Sequence, residues 1–259
     1  MGAKHYLRVL RAYQSLHFKT AMEYRINFFT KSGFMLLNDL MFLLIFMFLF
    51  KAFGTINGYS LTYAMLVFGI TGMSFGIIAV LFGGRRELWE MILEGRMDFY
   101  LSLPIDELFH ALGSSSAYDG YGDILFGLLI LIFVAPQSLP IGIVGALIGA
   151  VVLLSFFILM NCSAFYIEHP KATTTAANDI IVGFASWPLD AYTTKVRTIL
   201  YLIPIAFIGT VPTHLIQNFS WRELGLLAVV AVVILTVSIL IWKAGIKKYE
   251  SGNLVTTRI

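Results

Sequence analysis

The chain has 259 residues, 58% of them hydrophobic and only 13% charged, with a mean hydropathy of +0.82. Soluble domains carry about 25% charged residues, so a soluble fold is excluded and an all-α polytopic membrane protein is the class that fits. The net charge of +3 is small, no nucleic-acid partner is expected, and the single cysteine, Cys162, rules out an internal disulfide or a cysteine-based metal site.

Residues 1–31 read as an interfacial helix. Lys4, Arg8, Arg11, Ser15, Lys19 and Glu23 form a polar stripe at helical spacing, with Tyr6, Leu10, Tyr13, His17 and Tyr24 off it. Such a helix lies in the headgroup plane, its aromatic residues at the boundary and its basic ones towards anionic lipid. No apolar h-region precedes residue 31, so no cleavable signal peptide is expected and the first span directs insertion. That span is placed at 34–53, long enough for a ~30 Å hydrocarbon core. Asp39 falls inside it: it is either a residue of a transport pathway, or close enough to the interface to be hydrated or paired with a basic residue of the preceding helix.

The second span is placed at 60–82, where Gly72-Met-Ser-Phe-Gly76 offers a small-xxx-small face for another helix. Residues 84–104, GRRELWEMILEGRMDFYLSLP, form the longest charged segment between two apolar ones. Leu88, Met91, Ile92, Gly95 and Phe99 recur at helical spacing, which predicts an amphipathic helix, and Pro104 ends it. Periodicity leaves two uses open, docking on a soluble partner or resting on headgroups. Residues 105–122 stay polar and lead into a third span at 117–135. His110 with Asp106 at i−4 reads as a solvated face, and no metal site is expected.

The fourth span is placed at 141–166, the fifth at 196–216 and the sixth at 224–242. Residues 172–186, rich in Thr and Ala, predict a surface-packed or partly re-entrant helix. Pro204 inside the fifth span is expected to kink it. Residues 213–223 are expected to form the main external loop. Nearly all Lys and Arg fall on one side of this six-span scheme, and only Lys51 and Arg222 lie on the other. The basic side is cytoplasmic, which places both termini and residues 84–104 inside. The chain contains no G-x-x-x-x-G-K-[ST] phosphate loop, H-E-x-x-H or nucleophile elbow, so energy comes from another chain or from an ion gradient.

Several stretches together resemble the ABC-2 type transporter permeases. Glu90-Met91-Ile92, Gly95, Asp98, Tyr100-Leu101 and Leu103-Pro104 are similar to that family's E-I-x-x-G-x-L-D-x-x-L-x-x-P segment. Glu23-Tyr24-Arg25 matches a run in its amphipathic connecting helix. Tyr118-Asp119 and Gly122-Asp123 sit where one subgroup has two aspartates, although that subgroup's arginine is missing. Trp187-Pro188-Leu189-Asp190-Ala191-Tyr192 and Ile203-Pro204-Ile205-Ala206-Phe207 resemble its Y-P-L-D-I-Y-P and I-P-x-A-F motifs, with Trp187 in place of Tyr and Thr193 in place of Pro.

The resemblance implies a single permease domain over 1–259 and a coupling helix that docks on an ATPase subunit. Glu87, Leu88, Glu90, Met91, Ile92, Glu94, Gly95 and Asp98 would form the docking surface, with Leu88, Met91 and Ile92 as apolar anchors. Pro104, Asp119, Asp123, Pro188, Asp190 and Pro204 would be structural motif positions. It further implies two ATPase subunits that hold the ATP and Mg, no cofactor on this chain, a second permease in a homo- or heterodimer, and export across the inner membrane. The alternatives are a gradient-driven secondary transporter and a membrane scaffold. A secondary transporter would usually carry inverted repeats and several intramembrane charges, of which only Asp39 and the aspartates near the third span qualify.

Overall fold

The computed structural model describes residues 2–56 and 58–249, without the side chains of Ala3 and Asp190. Among the described residues there is no β-strand, only an isolated bridge between Ile56 and Tyr59.

The N-terminal helix α1 (Ala3–Glu23) is followed by α2 (Arg25–Phe53), with a break at Tyr24. The first long apolar helix therefore starts well before residue 34. Nothing between Arg25 and Phe34 stops a helix, since the lone Gly33 costs only about 1 kcal/mol. The face of α1 carrying Tyr6, Tyr13 and His17 is tied to the rest of the chain. Tyr6 meets Phe109 edge-on at 5.0 Å, Tyr13 packs against His110 at 5.4 Å, and His17 Nε2 lies 3.1 Å from the Gly113 carbonyl. Gln14 Nε2 donates to the carbonyls of Val80 and Leu81 at 3.3 and 3.4 Å.

Helix α3 (Leu61–Leu81) is apolar on all sides and lies at the centre of the fold, as an all-round apolar helix must. Ser60 caps it, accepting from Tyr63 N–H. Its partner α7 (Gly120–Val134) comes close at Gly69 and Gly76, where an added Cβ would sit 2.9 Å from Ile130 and 2.8 Å from Asp123 Cβ. Gly72 only meets Phe126 at 3.8 Å, so the close-packing pair is spaced by two helical turns rather than one. Between α3 and α7 lie three short helices, α4 (Leu88–Leu93), α5 (Met97–Leu101) and α6 (Glu107–Gly113). Residues 114–119 form a separate loop before α7, so the third apolar helix starts at Gly120 rather than at 117.

Helix α8 (Leu139–Asn161) continues as a 3₁₀ turn to Phe165, and α9 (Pro170–Ala185) follows. The expected fifth span is not one helix. It is divided into α10 (Thr194–Leu202), a 3₁₀ turn at Ile205–Phe207 and α11 (Thr210–Gln217). Pro204 has no N–H to donate to Leu200 and its ring crowds that carbonyl, so the chain stops being helical instead of merely bending. The expected external loop shrinks to residues 218–220, because α12 (Trp221–Ile246) begins there. Among the described residues four stretches are long and apolar enough to cross a membrane: Arg25–Phe53, Leu61–Leu81, Pro136–Phe165 and Trp221–Ile246. Helix α7 is a shorter apolar helix, about 22 Å at ~1.5 Å per residue.

Candidate functional site

The segment expected as one coupling helix is a knot of short pieces. A 3₁₀ turn at Gly83–Arg86 leads into α4, Gly95 adopts φ +73°, and α5 runs to Leu101 before Pro104 closes the segment. Gly95 is a helix terminator: its positive φ ends α4, where a side chain would be strained. Gly83 donates its N–H to Ser115 at 3.0 Å, and a Cβ on Gly84 would collide with the Ala111 carbonyl. Two adjacent glycines let this turn press against the end of α6.

Leu88, Met91 and Ile92 are buried in the chain's own core together with Met97. This corrects their assignment as anchors offered to a partner. The periodicity located an apolar face correctly, but α4 turns that face inwards against α9 and the 3₁₀ turn at Cys162–Phe165. The surface left outside carries Glu87, Glu90 and Glu94 around Arg96, with Arg96 at 3.7, 3.2 and 2.7 Å from them. Next to this charged cluster stand Leu93, Leu101 and Phe99, the last 62% exposed. Exposed ion pairs contribute about 0–1 kcal/mol each, so the cluster gives the surface its shape and charge more than its stability. Asp98 is half-buried beside Tyr249.

Two residues pin this segment to the membrane helices. Asn161 Oδ1 accepts from Trp89 N–H at 2.9 Å, and its Nδ2 donates to the carbonyls of Arg85 at 3.2 Å and Phe157 at 2.7 Å. Trp89 is in the first turn of α4, whose N–H groups have no helical acceptor. Asn161 thus caps α4 from a distant part of the chain. Arg85 is buried, and its guanidinium lies between the rings of Phe75 on α3 and Phe157 on α8, at 4.9 and 4.8 Å from their centroids. Sequence reasoning missed both. The available signal was a side-chain amide within an apolar span, which is costly unless it has partners.

Between α2, α3, α7 and α9 lies a half-open cavity of about 360 Å³. Asp39 from α2 and Asp123 from α7 line it, 4% and 2% exposed, with their carboxyl groups within hydrogen-bonding reach of each other. Neither reading of Asp39 as hydrated or paired with a basic residue holds, since it is buried against a second acid. Phe42, Phe46, Phe68 and Trp187 supply the apolar wall, and Trp187 tilts against Phe46 at 4.5 Å. A second, more polar cavity of about 730 Å³ shares Met35 and Asn38 with the first and is bordered by Lys31, Arg86 and Asp119.

The other motif positions divide. Asp119 pairs with Arg86 at 2.6 Å and accepts from Gly120 N–H at the start of α7. Pro188 is buried and opens the 3₁₀ turn at Leu189–Ala191, while the Asp190 side chain lies outside the described residues. Asp106 caps α6 by accepting from Phe109 N–H at 3.0 Å. His110 stands among Tyr13, Phe99 and Tyr100 rather than on a solvated face, and burial there pushes its imidazole below the ordinary value.

Residues 36–252 match the family described as ABC-2 family transporter protein. The chain belongs to the ABC-2 transporter family. It is an integral membrane protein and a component of a membrane transporter, a family role that implies association with an ABC ATPase. No curated protein and no solved structure matches it. In this ABC-2 permease the matched stretch takes in the charged segment 84–104, Asp39, Asp123 and the broken helix at Pro204.

Proposed function

We propose that this chain is the membrane subunit of an ATP-driven exporter in the cytoplasmic (inner) membrane, with both termini on the cytoplasmic side. Two ATPase subunits hold ATP and Mg, and a second permease, identical or different, completes the pathway for a hydrophobic or amphiphilic substrate. The observation that carries this reading is the build of residues 83–101. One face is buried in the core and fixed to α3 and α8 through Arg85 and Asn161. The opposite face presents Leu93, Phe99 and Leu101 beside an acidic cluster. A partner pushing on the outer face therefore meets a lever whose inner face grips two membrane helices. Interfaces of this kind draw their energy from a few apolar or aromatic anchors, with the charged rim adding little.

Co-expression with a nucleotide-binding subunit tests this. The two should co-purify, and ATP hydrolysis should follow the partner and never this polypeptide alone. Hydrolysis that tracks the purified chain refutes the reading. One observation favours the gradient-driven alternative, the buried Asp39–Asp123 pair. Transport that survives ATP depletion but collapses with an uncoupler selects that alternative.

A further inference from the structure

We propose that the cavity between α2, α3, α7 and α9 binds the protonated amine of a cationic amphiphile, with Asp39 and Asp123 receiving the ammonium group and the aromatic wall receiving the apolar body. This rests on the permease reading and names the substrate class for it.

The first support is what the two carboxyl groups lack. Both are more than nine-tenths buried, both line the cavity, and among the described residues no hydroxyl, amide or basic group donates to either Oδ2. Of the basic groups that act on Asp123, Arg86 pairs with Asp119, and Arg85 lies between Phe75 and Phe157 with its Nε and Nη1 unpartnered rather than bonded to either acid. Two buried acids side by side require a proton or a cation between them. An alkylammonium group brings three N–H donors, enough to serve both Oδ2 atoms at once.

The second support is the shape of the remaining space. A lone proton needs no cavity, and a hard metal ion needs about six oxygen ligands, whereas no group of three or more acidic, His or Cys ligands occurs among the described residues. The cavity volume of about 360 Å³ falls in the range of small-molecule sites, roughly 300–1,000 Å³, which are mostly apolar with a few placed polar groups. Phe46 lies 5.4 Å from Phe68 and 4.5 Å from Trp187, so contiguous rings form part of the wall of the cavity that the acids line. Aromatic faces attract cations and accept an alkyl chain equally well. Asp179 stands exposed at the rim, where it adds to the attraction for a cation.

The test uses the purified full chain in phosphatidylcholine nanodiscs, with dodecylammonium as the probe and dodecanol as the neutral control. Dodecylammonium should give a saturable change in tryptophan fluorescence that disappears in Trp187→Phe, and dodecanol should give none. Asp39→Asn and Asp123→Asn should each weaken binding about tenfold or more. A measurement on the unsubstituted chain removes any dependence on how the variants fold. Dicyclohexylcarbodiimide should modify Asp39 or Asp123, and dodecylammonium, not dodecanol, should protect them. Affinity unchanged in both asparagine variants, equal binding of dodecanol, or carbodiimide modification that is absent or unaffected by the amine overturns the proposal. Binding is read without any ATPase, so its failure leaves the permease reading standing. Failure to associate with an ATPase sinks that reading without touching the amine site.

Discussion

Asn161→Leu isolates the link between the coupling segment and the membrane helices. Leucine has the branched shape of asparagine, with bulkier methyl ends, but makes none of its three hydrogen bonds. The Phe157 carbonyl remains inside α8, where the backbone N–H four residues on still serves it. Trp89 N–H and the Arg85 carbonyl instead lose the side-chain partner the structure gives them. An orphaned buried group costs about 1–3 kcal/mol, so two of them come to about 2–4 kcal/mol once the apolar gain of leucine is allowed for. That cost should appear as easier local opening. Amide exchange in peptides covering residues 85–93 should accelerate by about 30- to 1,000-fold, while exchange in the central part of α3 stays unchanged. Asn161→Asp keeps an acceptor for Trp89 but loses both donors, and it should show the same local pattern. Unchanged exchange at 85–93 in Asn161→Leu refutes the linkage. A uniform loss of thermal stability without local acceleration would mean that Asn161 serves the α8 core rather than α4.

Inner and outer faces of the coupling segment should respond oppositely to charge. Phe99→Asp should abolish co-purification of the ATPase, at a cost of ~2 kcal/mol or more, with the protein still monodisperse, whereas Met91→Asp should unfold or aggregate the chain; a pull-down with size-exclusion traces reads both. Gly209→Ala places a methyl group against Thr71 and 2.9 Å from the Ala185 carbonyl, so its melting temperature in detergent should fall by the equivalent of about 1–3 kcal/mol. For orientation, cysteines at Ser15 and Glu94 should react only with reagent on the cytoplasmic side and cysteines at Gln137 and Asn218 only from outside; any exchange between the sets breaks the arrangement.

The membrane class, the bounds of α3 and the charged break between the second and third apolar helices were legible because composition, periodicity and Pro104 act locally. The apolar stripe at Leu88, Met91 and Ile92 was also legible, but not which body would cover it. A stripe looks the same whether the chain's own α9 or a partner buries it. The division of the fifth span was half legible. Pro204 announced a disturbance, but whether a helix kinks or breaks depends on the residues after the proline. Here a 3₁₀ turn and Gly209, wedged against Thr71 and Ala185, prevent the helix from resuming directly. The acid pair was not legible at all. Asp39 and Asp123 are far apart in sequence, each reads singly as a mild anomaly, and only the packing of α2 on α7 makes them one site.

The lever and the cavity share a wall, which ties the proposed substrate site to the proposed energy input. Arg85, at the root of the coupling segment, holds Phe75 on one side of its guanidinium, and Phe75 also lines the cavity that contains Asp39 and Asp123. Asn161 fixes the backbone of the same Arg85, so a displacement of α4 cannot be absorbed at that joint without breaking buried hydrogen bonds. The displacement must pass to α3 through Phe75 or to α8 through Phe157. Helix α3 is tightly packed on α7 at Gly69 and Gly76, which moves Asp123 along with it. Helix α2 is exposed along much of its apolar length, yet it is close-packed on α7, where a Cβ on Gly122 would meet the Ser32 carbonyl, so Asp39 and Asp123 stay together. A push on the coupling segment would therefore act on the acid pair as a unit, shifting it against the wall that Phe75 belongs to. Reshaping that wall around an intact acid pair is how a closing ATPase dimer would lower the affinity of the cavity and release its load.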